Sequence, residues 1–372
     1  MITIKEMISK KEMKAFVKFP FKLYKNNNYW VPPIINDELE SFNKDKNPVF
    51  KHATARFFVA VKNNEIVGRV AAIINDTEIN EQQLKKMRFG WFDFIDDFEV
   101  SKLLLEKVKE IGLANKLEFM EGPVGFSNLD KVGVLTDGFE HIGTMITWYN
   151  HPYYKNHFEH LGFTVEKEYL ENKFPFKNVD PVPLKRISTI LKKRYQLRSL
   201  NFTKTKNIMP YVDKMFELFN ITYAELPSFV PISQIEIAYF KKKYISFINP
   251  EYIKFVVDKD DNMVAFAITM PSFSRALQKA KGKLLPFGLF HLLKAKKESK
   301  DVIFYLIGVH PKYQGKGIHA LIFLEYQISF EKRGIVNCIR TPELATNTKI
   351  AAVWKNFEPV NHKKRCTYRK DI

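Results

Sequence analysis

The segment Val302–Ile322 reads VIFYLIGVHPKYQGKGIHALI. Its first part, Val302–Val309, is an apolar run of strand length, rich in β-branched and aromatic side chains. His310-Pro311 closes the run, because proline has no N–H to continue a ladder. From Ile318 the period changes. Ile318, Leu321, Leu324 and Ile328 fall on one stripe of a helix that extends to about Lys332. Between strand and helix lies Lys312-Tyr-Gln-Gly-Lys-Gly317. Glycines ahead of a helix let successive backbone N–H groups converge on an anion, and the helix dipole adds to the attraction. Lys312 and Lys316 supply counter-charge. The loop lacks the Gly-Lys-Ser/Thr of a nucleotide P-loop and the GxGxxG of a dinucleotide fold. The same shape also makes an ordinary tight turn, so its surroundings must choose between the readings.

Working outward, Ile253–Val257 and Met263–Met270 form a hairpin around the turn Asp258–Asn262. A helix near Met209–Phe219 precedes it, itself preceded by the basic segment LKKRYQLRSLNF. Downstream come a strand at Ile335–Ile339, a short helix near Asn347–Asn356 and a last strand near Cys366–Arg369. The first half repeats this order. Ala55–Val61 and Ile66–Ile74 form a hairpin, and Phe89–Ile95 is a third strand. A helix with Leu104, Val108 and Ile111 on one stripe ends near Gly112, and Leu117–Met120 is a short strand. His151–Phe163 is a helix ended by Gly162, with a strand running on to about Phe174. Asp180-Pro-Val-Pro183 reads as a linker, since two prolines break both helix and sheet. A tandem duplication follows, with domains 1–180 and 181–372.

The run V-x-P-x-Y-Q-G-K-G-I resembles the acyl-CoA loop of the GNAT acyltransferase superfamily, whose pattern is Gln/Arg-x-x-Gly-x-Gly/Ala. Gln314 and Gly317 match, and His319 stands where the family has Gly or Ala. Asn347–Phe357 resembles the family's late helix, with Ile350 in an alanine position and no glycine before Phe357. The resemblance covers about Tyr195–Lys370. It implies an α/β (α+β) protein of two tandem GNAT-like domains, each a mixed, mostly antiparallel sheet flanked by helices. It implies acyl-CoA as co-substrate, acetyl or longer, held by Gly308, Val309, Gln314, Gly315, Lys316, Gly317, Ile318, His319 and Asn347, with no metal. Amides near Gly308 and Val309 would polarise the thioester carbonyl. In the first half the loop position holds Asp96, Asp97 and Glu99, which cap a helix but repel a pyrophosphate. That half is therefore expected to be a degenerate GNAT-like domain without a phosphate loop. Tyr29–Pro33, Lys46–Phe50, Glu121–Asn128 and Thr136–Phe139 look like a narrower group of two-domain bacterial acyltransferases. They are also similar to the bacterial ceramide synthases, which acylate a sphingoid amine.

Acyl transfer to an amine needs a group to take the amine's proton. Glu343 beyond the fifth strand, His310 at the exit of the fourth and Tyr305 on it are the candidates. Each also has a plain structural role open to it, as loop carboxylate, turn residue or core aromatic. The tyrosine that often protonates the leaving thiolate in this family is replaced by Trp354, placed with Glu225 on the acceptor-binding side.

Composition narrows the partners. The 372 residues carry 59 Lys+Arg against 41 Asp+Glu, a net charge of +18, and 2 Cys. Two cysteines make neither a disulfide framework nor a four-cysteine zinc site, and no signal peptide is visible at the start, so a cytoplasmic location is expected. The positive balance favours anionic partners. Pro271–Lys300 concentrates it: Arg275, Lys279, Lys281, Lys283, Lys294, Lys296, Lys297 and Lys300 stand against Glu298 alone, interleaved with Phe and Leu. Such a basic amphipathic insert reads as a contact with an anionic membrane surface, which would make the protein peripheral at the inner face of the membrane. A lid packed on its own domain is the other reading; nucleic acid is disfavoured because aliphatic side chains dominate. The expected function is acyl-CoA-dependent N-acyl transfer to an amine, with a lipid amine as the finer reading. A non-catalytic acyl-CoA-binding or regulatory protein, and a basic nucleic-acid-associated protein, are the alternatives.

Overall fold

The structure, a computed structural model, describes residues 1–226, 229–245 and 248–372. In the first half, strands β1 (Ile2–Glu6), β2 (Ala53–Lys62), β3 (Glu65–Asn75), β4 (Lys86–Phe94), β5 (Phe119–Gly122), β6 (Val134–Asp137) and β7 (Thr164–Pro175) alternate with helices. These are α1 (Lys10–Leu23), α2 (Ile35–Ser41), α3 (Asp76–Asn80), α4 (Phe98–Ala114) and α5 (Tyr154–His160). The second half contains α6 (Pro181–Tyr195), β8 (Arg198–Leu200), α7 (Thr205–Tyr223), α8 (Gln234–Phe240), β9 (Ile253–Val257), β10 (Met263–Pro271), α9 (Ser274–Ala280) and α10 (Gly288–Glu298). It closes with β11 (Asp301–Val309), α11 (His319–Arg333), β12 (Asn337–Arg340), β13 (Glu343–Leu344), α12 (Thr348–Trp354) and β14 (Val360–Asp371).

The β2–β3 hairpin turns on Asn63-Asn64, both left-handed with φ of 53° and 63°. Such a two-residue turn matches the twist of the strands it joins, and asparagine tolerates the conformation better than most side chains. The β9–β10 hairpin turns where Asp258 Oδ1 accepts from the amides of Asp260 and Asn262, both at 2.9 Å. Each hairpin is extended by one antiparallel strand and then one parallel strand, β4 with β5 and β11 with β12.

All of these strands belong to one sheet, ordered β1-β2-β3-β4-β5-β14-β7-β12-β11-β10-β9-β8, with β6 on β14 and β13 on β7. Apart from the two at its centre, the order runs inward from each end through the same elements. There the halves exchange strands. β14, the last in sequence, lies on β5 of the first half, and β7 of the first half lies on β12 of the second. The short final strand expected near Cys366–Arg369 thus runs from Val360 to Asp371, and a cut at 180 falls across the sheet. At the seam Glu171 is fully buried between Arg365, whose Nε donates to it, and Lys363 at 3.7 Å. A buried carboxylate so paired ties register to charge, because a slip by one residue would leave it alone.

Two further expectations change. Asp180–Pro183 is the start of α6: Asp180 caps it by accepting from the Val182 amide at 2.9 Å, and both prolines sit in the first turn. First-turn amides have no intrahelical partner, so proline costs nothing there. Pro271–Lys300 is folded as α9 and α10. α9 buries Ala276, Leu277 and Ala280 against Val31, Ile34, Ile142 and Met145 of the first half, so it is packed, but across the halves and not as a lid on its own domain. α10 buries Leu292 but leaves Leu289, Phe290 and Leu293 exposed. Among the described residues no helix is long and apolar enough to cross a membrane. Cys338 and Cys366 are both free and buried.

Candidate functional site

The site starts where two parallel strands part. β11 and β12 pair from Asp301–Asn337 to Phe304–Arg340 and no further. Pro342 follows, which cannot donate to a ladder, and β13 moves across to β7. β11 continues alone on that side as Tyr305–Val309. Its backbone polarity alternates. The Ile307 carbonyl accepts from Tyr223 Oη at 3.2 Å on the open side, while the His310 amide donates to Val264 on the β10 side at 2.8 Å. By the antiparallel alternation, Ile307 and Val309 point their amides into the opening and Gly308 points its own at β10. Gly308 contributes by having no side chain, since a Cβ would stand 2.4 Å from the Phe266 ring and 3.0 Å from Thr222 Oγ1.

Beyond β11 the chain makes one 3-10 turn, Pro311–Tyr313, and enters α11 through Gly315 and Gly317, with φ of 72° and 79°. Side chains rarely adopt that conformation, and open space surrounds Gly315. Among the described residues the amides of Gly315, Gly317, Ile318 and His319 donate to no protein acceptor. Four free amides at the positive end of a 15-residue helix, flanked by exposed Lys312 and Lys316, make a surface for an anion. Gln314 Nε2 donates to the Val309 carbonyl at 3.1 Å and ties the loop to the end of β11. Ile318 is buried core, and burial holds the His319 imidazole below its ordinary value and therefore neutral.

Glu343 sits in the opening on β13. It pairs with Arg340, whose Nε lies 3.2 Å from Oε1 and whose guanidinium stacks 4.7 Å above the Trp354 ring. Burial raises the Glu343 carboxyl above its ordinary value; Arg340 and the neighbouring Trp354 indole oppose the shift without cancelling it. Tyr223, with its phenol pushed far up by burial and held there by the Glu343 charge, faces the same space. Tyr223 and Arg340 were not among the sequence candidates; the spacing Arg340-Thr-Pro-Glu343 is the one local sign of the pair.

The remaining candidates have structural partners. His310 caps the 3-10 turn, its Nδ1 accepting from the Lys312 amide at 3.2 Å, and burial lowers its basicity. Tyr305 Oη donates to the Leu129 carbonyl of the first half at 3.1 Å, and burial raises its phenol. Asn347 caps α12, accepting from the Ile350 amide at 3.2 Å. Trp354 is 1% exposed and packed among Phe174, Phe304, Phe323 and Phe357, so its place in the fold is core. Glu225 is exposed on the rim and faces Lys349 at 3.7 Å, a contact worth little in water.

The first half has the same parting of β4 from β5, but its own chain fills the gap. The Val124 amide donates to the Phe89 carbonyl at 2.8 Å, and Tyr153 and Tyr154 hydroxyls bond the carbonyl and amide of Phe94. Asp97 caps α4 and pairs with Lys62 at 2.8 Å, while Asp96 lies 3.0 Å from His157. Neither the open strand edge nor the fan of free amides recurs there.

No family model matches the chain. It is 25% identical over 376 residues to Protein YghO of Escherichia coli (strain K12), covering 99% of this chain and 95% of that one. It is 24% identical over 309 residues to the bacterial ceramide synthase of Caulobacter vibrioides, covering 82% and 79%. Among solved structures, a tandem GNAT protein from the clavulanic acid biosynthesis pathway superimposes over the whole chain and 98% of its own, with a TM-score of 0.59 at 10% identity. A GCN5-related N-acetyltransferase from Sphaerobacter thermophilus does so over 95% of its length, with a TM-score of 0.53 at 8% identity. The chain has the tandem GNAT fold.

Proposed function

We propose that this protein is an acyl-CoA-dependent N-acyltransferase with one active site, in the second half. The observation that carries the reading is the open edge of β11 running directly into the amide fan of Gly315–His319. A CoA pyrophosphate fits the fan, and its thioester arm then lies along Tyr305–Val309. The inward amides of Ile307 or Val309 would stabilise the oxyanion that forms as the amine attacks. The amine nitrogen bonds to the carbonyl carbon, the C–S bond breaks, and CoA leaves as the thiol. Glu343 takes the proton the nitrogen loses; a carboxyl raised by burial suits that exchange better than an ordinary one. Trp354 cannot protonate the thiolate, which leaves that proton to solvent.

The finer reading is a lipid amine of sphingoid type as acceptor. Two features support it: similarity to a protein named bacterial ceramide synthase, and the basic, apolar insert. The rival, a non-catalytic acyl-CoA sensor, draws on Trp354 and His319. Free-thiol release from short and long acyl-CoAs, with a panel of simple and long-chain amines, separates the two. Amine-dependent release is expected, and none from protein that binds CoA would favour the sensor.

Binding is tested separately. Gly317→Asp places a carboxylate beside the amides and forces a side chain into a φ of 79°. CoA affinity by calorimetry is expected to fall at least about a hundredfold, the loss of one charge-assisted contact plus repulsion. The parent is expected to bind one CoA per chain. Unchanged affinity in the variant, or two CoA per chain in the parent, would overturn the assignment.

A further inference from the structure

The insert between β10 and β11 is anchored at one end and bare at the other. Ser274 Oγ donates to the Gly143 carbonyl at 2.8 Å, and Gln278 Nε2 to those of Asn28 and Trp30 at 2.8 and 3.0 Å. The Ile35 amide donates to the Gly282 carbonyl at 2.9 Å. These bonds fix α9 on the first half and hold the following segment out. There Leu285 is 74% exposed, Phe287 71%, Phe290 64% and Leu293 51%. Single exposed apolar residues are common, but five large ones within nine positions, with Leu289 the fifth, are not.

Charge says what covers them. Eight basic residues of the insert face a single acid, Glu298, which lies 3.8 Å from Lys294. Lys279, Lys281, Lys283 and Lys297 have no acidic partner among the described residues. A second copy would bring the same positive charge against itself. Nucleic acid would neutralise the lysines and leave the phenylalanines in water. A bilayer with anionic headgroups satisfies both, because apolar side chains enter the acyl boundary while lysines stay at the phosphates.

We propose that Leu285–Leu293 is a docking surface for an anionic phospholipid bilayer. The insert rejoins the sheet at Asp301, four strand residues before Tyr305 at the opening, about 13 Å along β11. Binding itself is independent of the acyltransferase reading; only the lipid nature of the acceptor rests on both.

The test is cosedimentation of the full chain, without CoA, with phosphatidylcholine vesicles containing or lacking phosphatidylglycerol. Binding to the anionic vesicles is expected, weakening with salt but leaving a salt-resistant remainder. Phe287→Ser with Phe290→Ser is expected to weaken it about tenfold per residue and remove the remainder. Lys279→Glu, Lys283→Glu and Lys297→Glu together are expected to weaken it at least about a hundredfold. Because the changed side chains are exposed, CoA affinity measured in parallel should not move, and it also certifies folding. Failure of the parent to sediment overturns the proposal, as does sedimentation of both variants like the parent. So does an oligomer that the serine variant dissolves while the parent ignores vesicles, which would make the patch a contact between copies. If vesicles bind but CoA does not, the acyltransferase reading falls and this one stands.

Discussion

Deleting Val360–Ile372 is expected to unfold the whole protein, although it removes no residue of the candidate site. β14 lies between β5 and β7, so its loss opens two inner strand edges at once. Tyr368 goes with it, buried and stacked on Phe158 at 4.4 Å, as does Arg365, the partner that keeps Glu171 tolerable in the interior. Removing one member of a buried ion pair alone costs about 3–5 kcal/mol, a large share of a typical domain's stability. Circular dichroism and urea titration should find no cooperative transition in the truncated chain, and a single transition in the parent. Residues 1–180 alone should fail in the same way, and adding residues 181–372 as a separate chain should restore structure to both. A truncated protein with a normal transition would refute the exchanged-strand topology as a source of stability.

Glu343→Gln is expected to lower kcat by about 10²–10⁴-fold, with the KM for acyl-CoA little changed. Glutamine keeps an oxygen for Arg340 Nε but cannot take a proton, so the loss should fall on chemistry. The pH profile carries the sign. A base works when deprotonated, and burial raises this carboxyl, so the parent's rate should climb with pH through a value above the ordinary carboxylate range and then level. The variant's residual rate should lack that limb. A variant with the parent's kcat and the parent's limb would assign the proton to another group. Thermal unfolding of both proteins guards against a purely structural effect on Arg340.

The elements of this fold were legible because each is a local matter. The hairpins are short apolar runs facing each other across turn residues, the helices show period 3.6, and the glycine loop announces itself between them. The exchange of β7 and β14 was not legible, since both strands are rich in charged residues and nothing local says which neighbour each one meets. The prolines at 181 and 183 misled because their meaning depends on where a helix begins: two turns later they would break it, and in the first turn they start it. In the site, the loop residues could be named because glycine's conformational freedom is written in the sequence. Tyr223 could not. It reaches the Ile307 carbonyl from a helix more than eighty residues away, and only packing brings the two together. Trp354 shows the converse: the resemblance of Asn347–Phe357 to the family's late helix puts it on the acceptor side, and its surroundings are aromatic core on several sides.

The strand exchange also sets a timetable for biosynthesis. β5 is complete when residue 122 leaves the ribosome, but the strand that covers its edge begins only at residue 360. At translation rates of about 5–20 residues per second, the nascent first half waits on the order of ten seconds or more with that edge bare. Its edge partner on the other side of the seam, β7, emerges in the meantime and is the nearest strand able to pair with β5. A growing chain would thus meet a choice between closing on itself and waiting for the twelve residues of β14. Production of this protein should therefore depend on holdase chaperones and on elongation speed.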